Sequence, residues 1–173
     1  MLTIRPATIN DVALLSALIR EFAEFEHELE QVVITEQDLM RDGFGADPRF
    51  RVLLAEWSGQ PAGYALFFDF YSSWVGRPGI FLEDLFVRAA FRGHGVGRAL
   101  LASVAGIAEH EKRYGLRWEV LDWNEKAIQL YRSLGATFLD QRRAVLLEAP
   151  AMRMLAATAP EVVREGQLSL KVD

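Results

Sequence analysis

Residues 80–98 hold the pattern that most limits the fold. An apolar run ending Glu83-Asp84-Leu85-Phe86-Val87 leads to the turn Arg92-Gly93-His94-Gly95-Val96-Gly97, and a helical pattern opens near Arg98. This reads as a strand, a turn of exposed amides and a helix. Three glycines at alternate positions remove the side chains that would hold a ligand off the main chain. The first amides of the helix behind them lack intrahelical acceptors. Such a turn suits a phosphate or pyrophosphate. A Walker loop would follow its last glycine with Lys-Ser or Lys-Thr, yet Gly97 is followed by Arg98-Ala99. A dinucleotide fingerprint would need G-x-G-x-x-G near the start of a βαβ unit, whereas G-x-G-x-G stands here about halfway along the chain.

The patterns on either side alternate between strand and helix. Residues 3–5 predict a short strand, and Asn10-Asp11 opens a helix whose Val12, Leu15, Leu18, Ile19, Phe22 and Phe25 recur at helical spacing. Thr35-Glu36-Gln37-Asp38 is a capping-box variant that starts a second helix, ending at Gly43. Residues 51–57 and 62–70, joined by Ser58-Gly59-Gln60, predict a β-hairpin. A loop with Trp74, Gly76, Pro78 and Gly79 precedes the strand 80–87. After the glycine turn we expect a helix to about Tyr114, a strand over 117–121, a helix from Asn124 to Leu134 closed by Gly135, and a last strand over 144–147. The expectation is an α/β architecture, a mixed sheet with helices on both faces.

With 173 residues and 51% hydrophobic content, the chain suits one domain with a substantial core. We place that domain at residues 1–156, with 157–173 as a tail. There is no cysteine, which removes disulfides, thiolate metal sites and a cysteine nucleophile. His27, His94 and His110 lack ligand spacing, so no metal is expected. The formal charge of −5 argues against a nucleic-acid surface and modestly favours cationic partners. The start lacks a signal-peptide pattern and no apolar run is long enough to span a bilayer, so no membrane contact and a cytoplasmic location are expected.

The arrangement Arg-x-x-Gly-x-Gly between strand and helix resembles the acetyl-coenzyme A pyrophosphate loop of the GNAT acyltransferase superfamily. Three segments are similar to its diamine (spermidine/spermine) N-acetyltransferase branch. They are Arg5-Pro6-Ala7-Thr8 with Glu26 through Asp42-Gly43-Phe44-Gly45; residues 81–87 with the glycine loop; and Trp123-Asn124-Glu125 through Tyr131 to Gly135-Ala136. The likeness covers roughly residues 3–155 and implies the GNAT fold, a mixed, mostly antiparallel sheet, with acetyl-coenzyme A as cosubstrate. By resemblance the pyrophosphate lies on Arg92, Gly93, His94, Gly95, Val96, Gly97 and Arg98. Leu85, Phe86 and Val87 offer main-chain groups to the pantetheine arm, and Asn124, Lys126 and Tyr131 also contact the cofactor.

Acetyl transfer to an amine requires a neutral nitrogen, yet an alkyl ammonium has a pKa near 10.4. One group must remove a proton, and another must return one to the departing thiolate. No histidine is well placed by sequence, which leaves carboxylates and tyrosines. Glu83 and Asp84 are strand neighbours that point to opposite faces unless a bulge intervenes. The resemblance implies that Glu83 holds the amine and draws off its proton, and that Tyr131 is the general acid. The plainer alternatives are an acidic strand end and a half-buried tyrosine with an ordinary hydrogen bond. Asn124 is also a plausible helix cap.

Phe25 and Glu26 match the family's aromatic-acid pair at the amine, while Glu28 and Glu30 read as a solvated helix end. Asp84 and Trp74 join the expected acceptor site. Two departures stand out: Arg143 falls near a substrate-binding glutamate of the family, and Ser72-Ser73 replaces Asp-Pro before Trp74. An arginine there would repel a polycation and could bind a carboxylate. That favours a lysine- or thialysine-like amine over a polyamine. A non-catalytic acyl-coenzyme A sensor and a protein N-acetyltransferase remain alternatives. The alternating residues 167–172 could form an edge strand pairing with a neighbour, and a homodimer is expected.

Overall fold

Ser58 (φ 50°) and Gly59 (φ 78°) both take positive φ and reverse the chain between β2 (Arg51–Trp57) and β3 (Gln60–Ser72). With Trp57 paired to Gln60, this is the two-residue hairpin loop whose twist matches its strands. β1 (Leu2–Pro6) lies antiparallel to β2, and β4 (Arg77–Val87) antiparallel to β3. β5 (Leu116–Arg117) joins β4 in parallel, completing a five-stranded sheet in the order β1-β2-β3-β4-β5. The computed structural model describes residues 1–160, so the expected edge strand at 167–172 lies outside the described residues. The chain forms two compact units, Met1–Tyr131 and Arg132–Asp173.

Period-two alternation in the strands feeds two layers of core. On one face Val52, Leu54, Tyr64, Leu66 and Phe86 pack with Val12, Leu15 and Leu18 of α1 (Val12–Phe25) and Leu39 of α2 (Glu36–Phe44). The intervening Leu53, Ala55, Ala65 and Phe67 are buried on the other face, where α3 (Val96–His110) contributes Val96, Leu100 and Val104. The helices therefore cover both faces, as the patterning predicts. α2 opens on the expected box, with the Asp38 amide donating to Thr35 Oγ1 at 3.1 Å and the Thr35 amide to Asp38 Oδ2 at 3.0 Å.

α1 ends in a Schellman motif that shapes the site below. The Glu28 amide donates to the Ala23 carbonyl at 2.8 Å and the His27 amide to the Glu24 carbonyl at 3.1 Å. His27 occupies the left-handed position (φ 62°) that glycine usually takes. The turn leaves Glu26 at the helix cap.

Several element limits differ from the sequence expectation. β4 begins at Arg77, so Pro78 and Gly79 are strand residues; rings of Phe70 and Tyr114 occupy the space a Gly79 side chain would need. α3 starts at Val96 and ends at His110, short of Tyr114. β5 stops at Arg117 instead of running to Leu121: its pairing with β4 ends at Phe81↔Arg117. α4 (Glu125–Ser133) matches its predicted helix closely, and Gly135 closes it in the left-handed region (φ 80°).

In the second unit, residues 144–147 form no strand. Val145 is 92% exposed, and no described strand pairs with the segment, without which β-propensity has nothing to act on. The unit instead carries an unpredicted helix, α5 (Ala149–Ala156), with Pro150 in its first turn. Leu134, where the helix was expected to end, is 38% exposed.

Candidate active site at the fork of the sheet

The site is organised by one extra residue. Leu66 pairs with Asp84, but Phe67 pairs with Leu82, so Glu83 is a bulge residue with no cross-strand partner. The bulge resets the side-chain alternation. Asp84 and Phe86 share the α1 face with Leu66 and Tyr64, whereas Leu82 is buried opposite with Phe67. At the same level the other edge opens: β5 pairs with β4 only at Ile80↔Leu116 and Phe81↔Arg117. Beyond Phe81, among the described residues, the outer edge of β4 through Leu85, Phe86 and Val87 has no strand beside it. An extended ligand can take the empty place as an added strand does.

Both acids of β4 reach this fork. Tyr64, fully buried on β3, donates its hydroxyl to Asp84 Oδ2 at 2.9 Å. Burial pushes the Asp84 carboxyl up to about 6; Glu83 and Glu26 push the same way, and the Tyr64 hydrogen bond only partly opposes them. Glu83 is exposed, and its carboxyl is raised first by partial desolvation and then by the negative charge of Glu119. Glu26, at the end of α1, is raised by desolvation and by Glu28. Its charge acts in turn on Tyr64, Asp84 and Tyr131, which places the C-terminal end of α1 over the fork. Among the described residues none of Glu26, Glu83, Asp84 and Glu119 has a cationic partner, although arginines pair with acids elsewhere in the same unit.

Tyr131 enters from α4. It and Ile128 are the buried residues of that helix, spaced three apart on one face. Its ring meets Trp118 edge-on at 5.1 Å, and burial with the Glu26 charge raises the phenol above its ordinary value. The hydroxyl therefore keeps its proton throughout the neutral range. Asn124 caps α4, its Oδ1 accepting from the Ala127 amide at 3.3 Å, while Lys126 is exposed in the first turn. Trp123 lies beside Phe25, 5.5 Å between ring centroids.

The glycine loop stands at the end of β4. Gly93 (φ 81°) and Gly95 (φ 82°) have left-handed backbone, and a side chain on either would meet nothing within 4 Å. The first intrahelical bond of α3 runs from the Ala99 amide to the Gly95 carbonyl at 2.9 Å, leaving the amides of Val96, Gly97 and Arg98 ahead of it. Open backbone, free amides at the start of a long helix and the exposed Arg98 fit a pyrophosphate. Arg92 is turned the other way. Its Nε donates to the Val87 carbonyl at 2.8 Å and its guanidinium stacks on Phe25 at 4.3 Å, joining the loop to the end of α1. The His94 side chain packs toward Trp57 at 5.2 Å, so only its backbone faces the loop's concavity.

Phe25, Glu26, Glu83, Asp84 and Tyr131 thus come together, with Leu85 to Val87 and the loop adjoining them. Trp74 does not join them within this chain. It is 90% exposed at the β3–β4 tip, and Ser72, just before it, is already roughly 20 Å along the ladder from Leu66. Arg142 and Arg143 are exposed in the second unit. Tyr64, Trp118 and Glu119 were missed by sequence reasoning. A tyrosine inside an apolar strand needs a partner for its hydroxyl, which was the available signal for Tyr64. Glu119 became visible only through the register of β5.

The model of the acetyltransferase (GNAT) family matches residues 13–136. Thialysine N-epsilon-acetyltransferases of Sus scrofa and Mus musculus are each 40% identical over 164 residues, covering 88% of this chain and 96% of theirs. A spermidine/spermine N(1)-acetyltransferase-like protein 1 of Homo sapiens is 35% identical over 79% of this chain and 21% of its own length. Among solved structures, an integron cassette protein of V. cholerae superposes with a TM-score of 0.75 at 22% identity, covering 91% of this chain and 98% of its own. An aminoglycoside acetyltransferase from an uncultured soil metagenomic sample reaches 0.70 at 18% identity, covering 86% and 95%. These two share the fold. Matched by the family model over most of its length, and by the thialysine enzymes over nearly all of theirs, this chain belongs to the acetyltransferase (GNAT) family, in its diamine branch, and is an acetyltransferase.

Proposed function

We propose that the chain moves an acetyl group from acetyl-coenzyme A to a primary amine of a small cationic acceptor, by direct transfer with both substrates bound. One observation carries this reading: Glu26, Glu83, Asp84 and Glu119 gather without a cationic partner beside a tyrosine that keeps its proton. Unpaired carboxylates attract an ammonium group and stabilise it as it enters.

Acetyl-coenzyme A supplies an activated thioester. The loop from Arg92 to Arg98 holds its pyrophosphate, the β4 edge at Leu85, Phe86 and Val87 aligns its pantetheine arm, and Asn124 and Lys126 flank it from α4. Glu26, Asp84 and Phe25 hold the acceptor, and Glu83 takes one proton from its ammonium. The freed nitrogen pair then forms the new C–N bond as the C–S bond breaks. Tyr131 gives its proton to the leaving sulfur and is reprotonated by the second proton that the new amide nitrogen sheds, while Glu83 releases the first to solvent. The names of the relatives favour a thialysine-type acceptor. Residues 1–156 are proposed to work as one domain, and the chain as a homodimer in the cytoplasm.

Thiol release from acetyl-coenzyme A with spermidine, putrescine, lysine and thialysine tests this. Tyr131→Phe should lower kcat by about 10²–10⁴ while coenzyme A affinity is kept. Full turnover of that variant, or an acetylated protein trapped by mass spectrometry before product appears, would overturn the mechanism. A single-chain mass by light scattering would overturn the dimer.

A further inference from the structure

We infer that Glu119 is a positioning residue for the transfer: its carboxylate faces Glu83 across the fork and makes Glu83 a stronger base. This rests on the role of Glu83 in the preceding section. The placement follows from register. The last parallel pair is Phe81↔Arg117, and two residues further on each strand stand Glu83 and Glu119. Each chain thus carries an acid just past the last paired residue, where the β4–β5 ladder ends and nothing stands between the two edges. Both are exposed, and the charge of Glu119 is felt at Glu83.

No other described group takes over this part. From its own strand Asp84 adds a second negative charge next to Glu83, with Tyr64 of β3 bonded to that carboxyl and Glu26 of α1 acting on it. Tyr131 of α4 is neutral throughout the neutral range. The nearby cations are turned away: Arg117 lies over Phe70 at 5.5 Å and Arg92 over Phe25 at 4.3 Å. Among the described residues no three His, Asp or Glu side chains are placed to share a metal ion, so the acids act as a field and do not form a chelate. The negative charge of Glu119 favours the protonated form of Glu83, which therefore takes a proton more readily than it would beside a neutral side chain. Glu119 thus promotes the step in which the acceptor's ammonium loses its proton.

The test is kcat/KM against pH with acetyl-coenzyme A and the fastest amine of the panel. Glu119→Gln should move the lower limb to more acid pH, raising activity on that limb roughly threefold relative to the plateau, the effect of one solvent-screened like charge a few ångströms away. Glu119→Asp should restore the original limb, and Glu109→Gln, which removes an equal charge from the exposed side of α3, should leave it in place. An unmoved limb in Glu119→Gln, an equal loss at every pH, or the same movement in Glu109→Gln overturns the inference. Glu83→Gln separates the two readings. If that variant keeps the lower limb, Glu83 is not the base and the preceding proposal fails. If it loses the limb while Glu119→Gln leaves it unmoved, the role of Glu119 alone fails.

Discussion

Asp84→Asn should make the protein more stable and a poorer catalyst, and the gain should depend on pH. In the folded state the Asp84 carboxyl is pushed from its ordinary 3.8 to about 6, chiefly by burial. The native protein therefore binds this proton more tightly than the unfolded chain does. Any contribution of the group is fully present below 3.8 and is lost as pH rises through about 6. At roughly 1.4 kcal/mol for each pH unit, the ionised carboxylate costs about 3 kcal/mol of stability at pH 8. Asparagine removes the charge and still accepts the Tyr64 hydroxyl that Asp84 accepts at 2.9 Å. Urea unfolding at pH 4 and pH 8 reads the difference. The variant should match the parent within about 0.5 kcal/mol near pH 4 and exceed it by about 2–3 kcal/mol at pH 8, a melting-temperature rise on the order of 5–10 °C for a domain of this size. Turnover with a cationic amine should fall in the same variant, because the destabilising charge is the one that holds the acceptor. A gap between variant and parent that stays constant from pH 4 to pH 8 would refute the reasoning.

Two further changes probe the cofactor loop and the frame. Gly95→Ala places a side chain at φ 82°, a strained conformation that costs about 1–2 kcal/mol; coenzyme A affinity by calorimetry should drop more than thermal stability does. Asp11 accepts from Arg5 Nη2 at 2.8 Å and from the Thr8 amide at 2.8 Å, which holds its carboxyl far below the ordinary range. Asp11→Asn should therefore lose about 1.5–3 kcal/mol at neutral pH. The deficit should shrink as pH falls below the ordinary carboxylate value of 3.8, because there the unfolded chain takes up a proton at Asp11 that the folded protein does not, and chemical denaturation across that range measures it.

The parts of the fold that were legible in the sequence are those set by short-range geometry. Helical spacing from Val12 to Phe25, the Thr35 capping box, the Ser58-Gly59 hairpin and the glycine turn each carry their instructions within a few residues, and each formed within a few positions of its expected place. Misplaced elements were those that need a distant partner. Residues 144–147 carry strand propensity but have no strand to pair with among the described residues, and the pairing of β5 with β4 ended at Arg117. The start of α5 is marked locally by Pro150 in its first turn, where a missing amide costs no hydrogen bond.

The sequence by itself determined the strand, glycine turn and helix start suited to a phosphate, since such a segment needs no tertiary contact to present its amides. It also supplied Glu83, Asp84, Glu26 and Tyr131 as candidates, by resemblance. Which way those side chains point was decided in three dimensions. The bulge at Glu83 reverses the alternation of β4, carrying Asp84 onto the α1 face against Tyr64 and leaving Glu83 at the fork. The end of the β4–β5 ladder brings Glu119 opposite it, and the Schellman turn at His27 holds Glu26 at the end of α1, where its charge acts on Asp84 and Tyr131. Side-chain direction along a strand depends on pairing register, and register is a property of two strands together, which no single segment encodes.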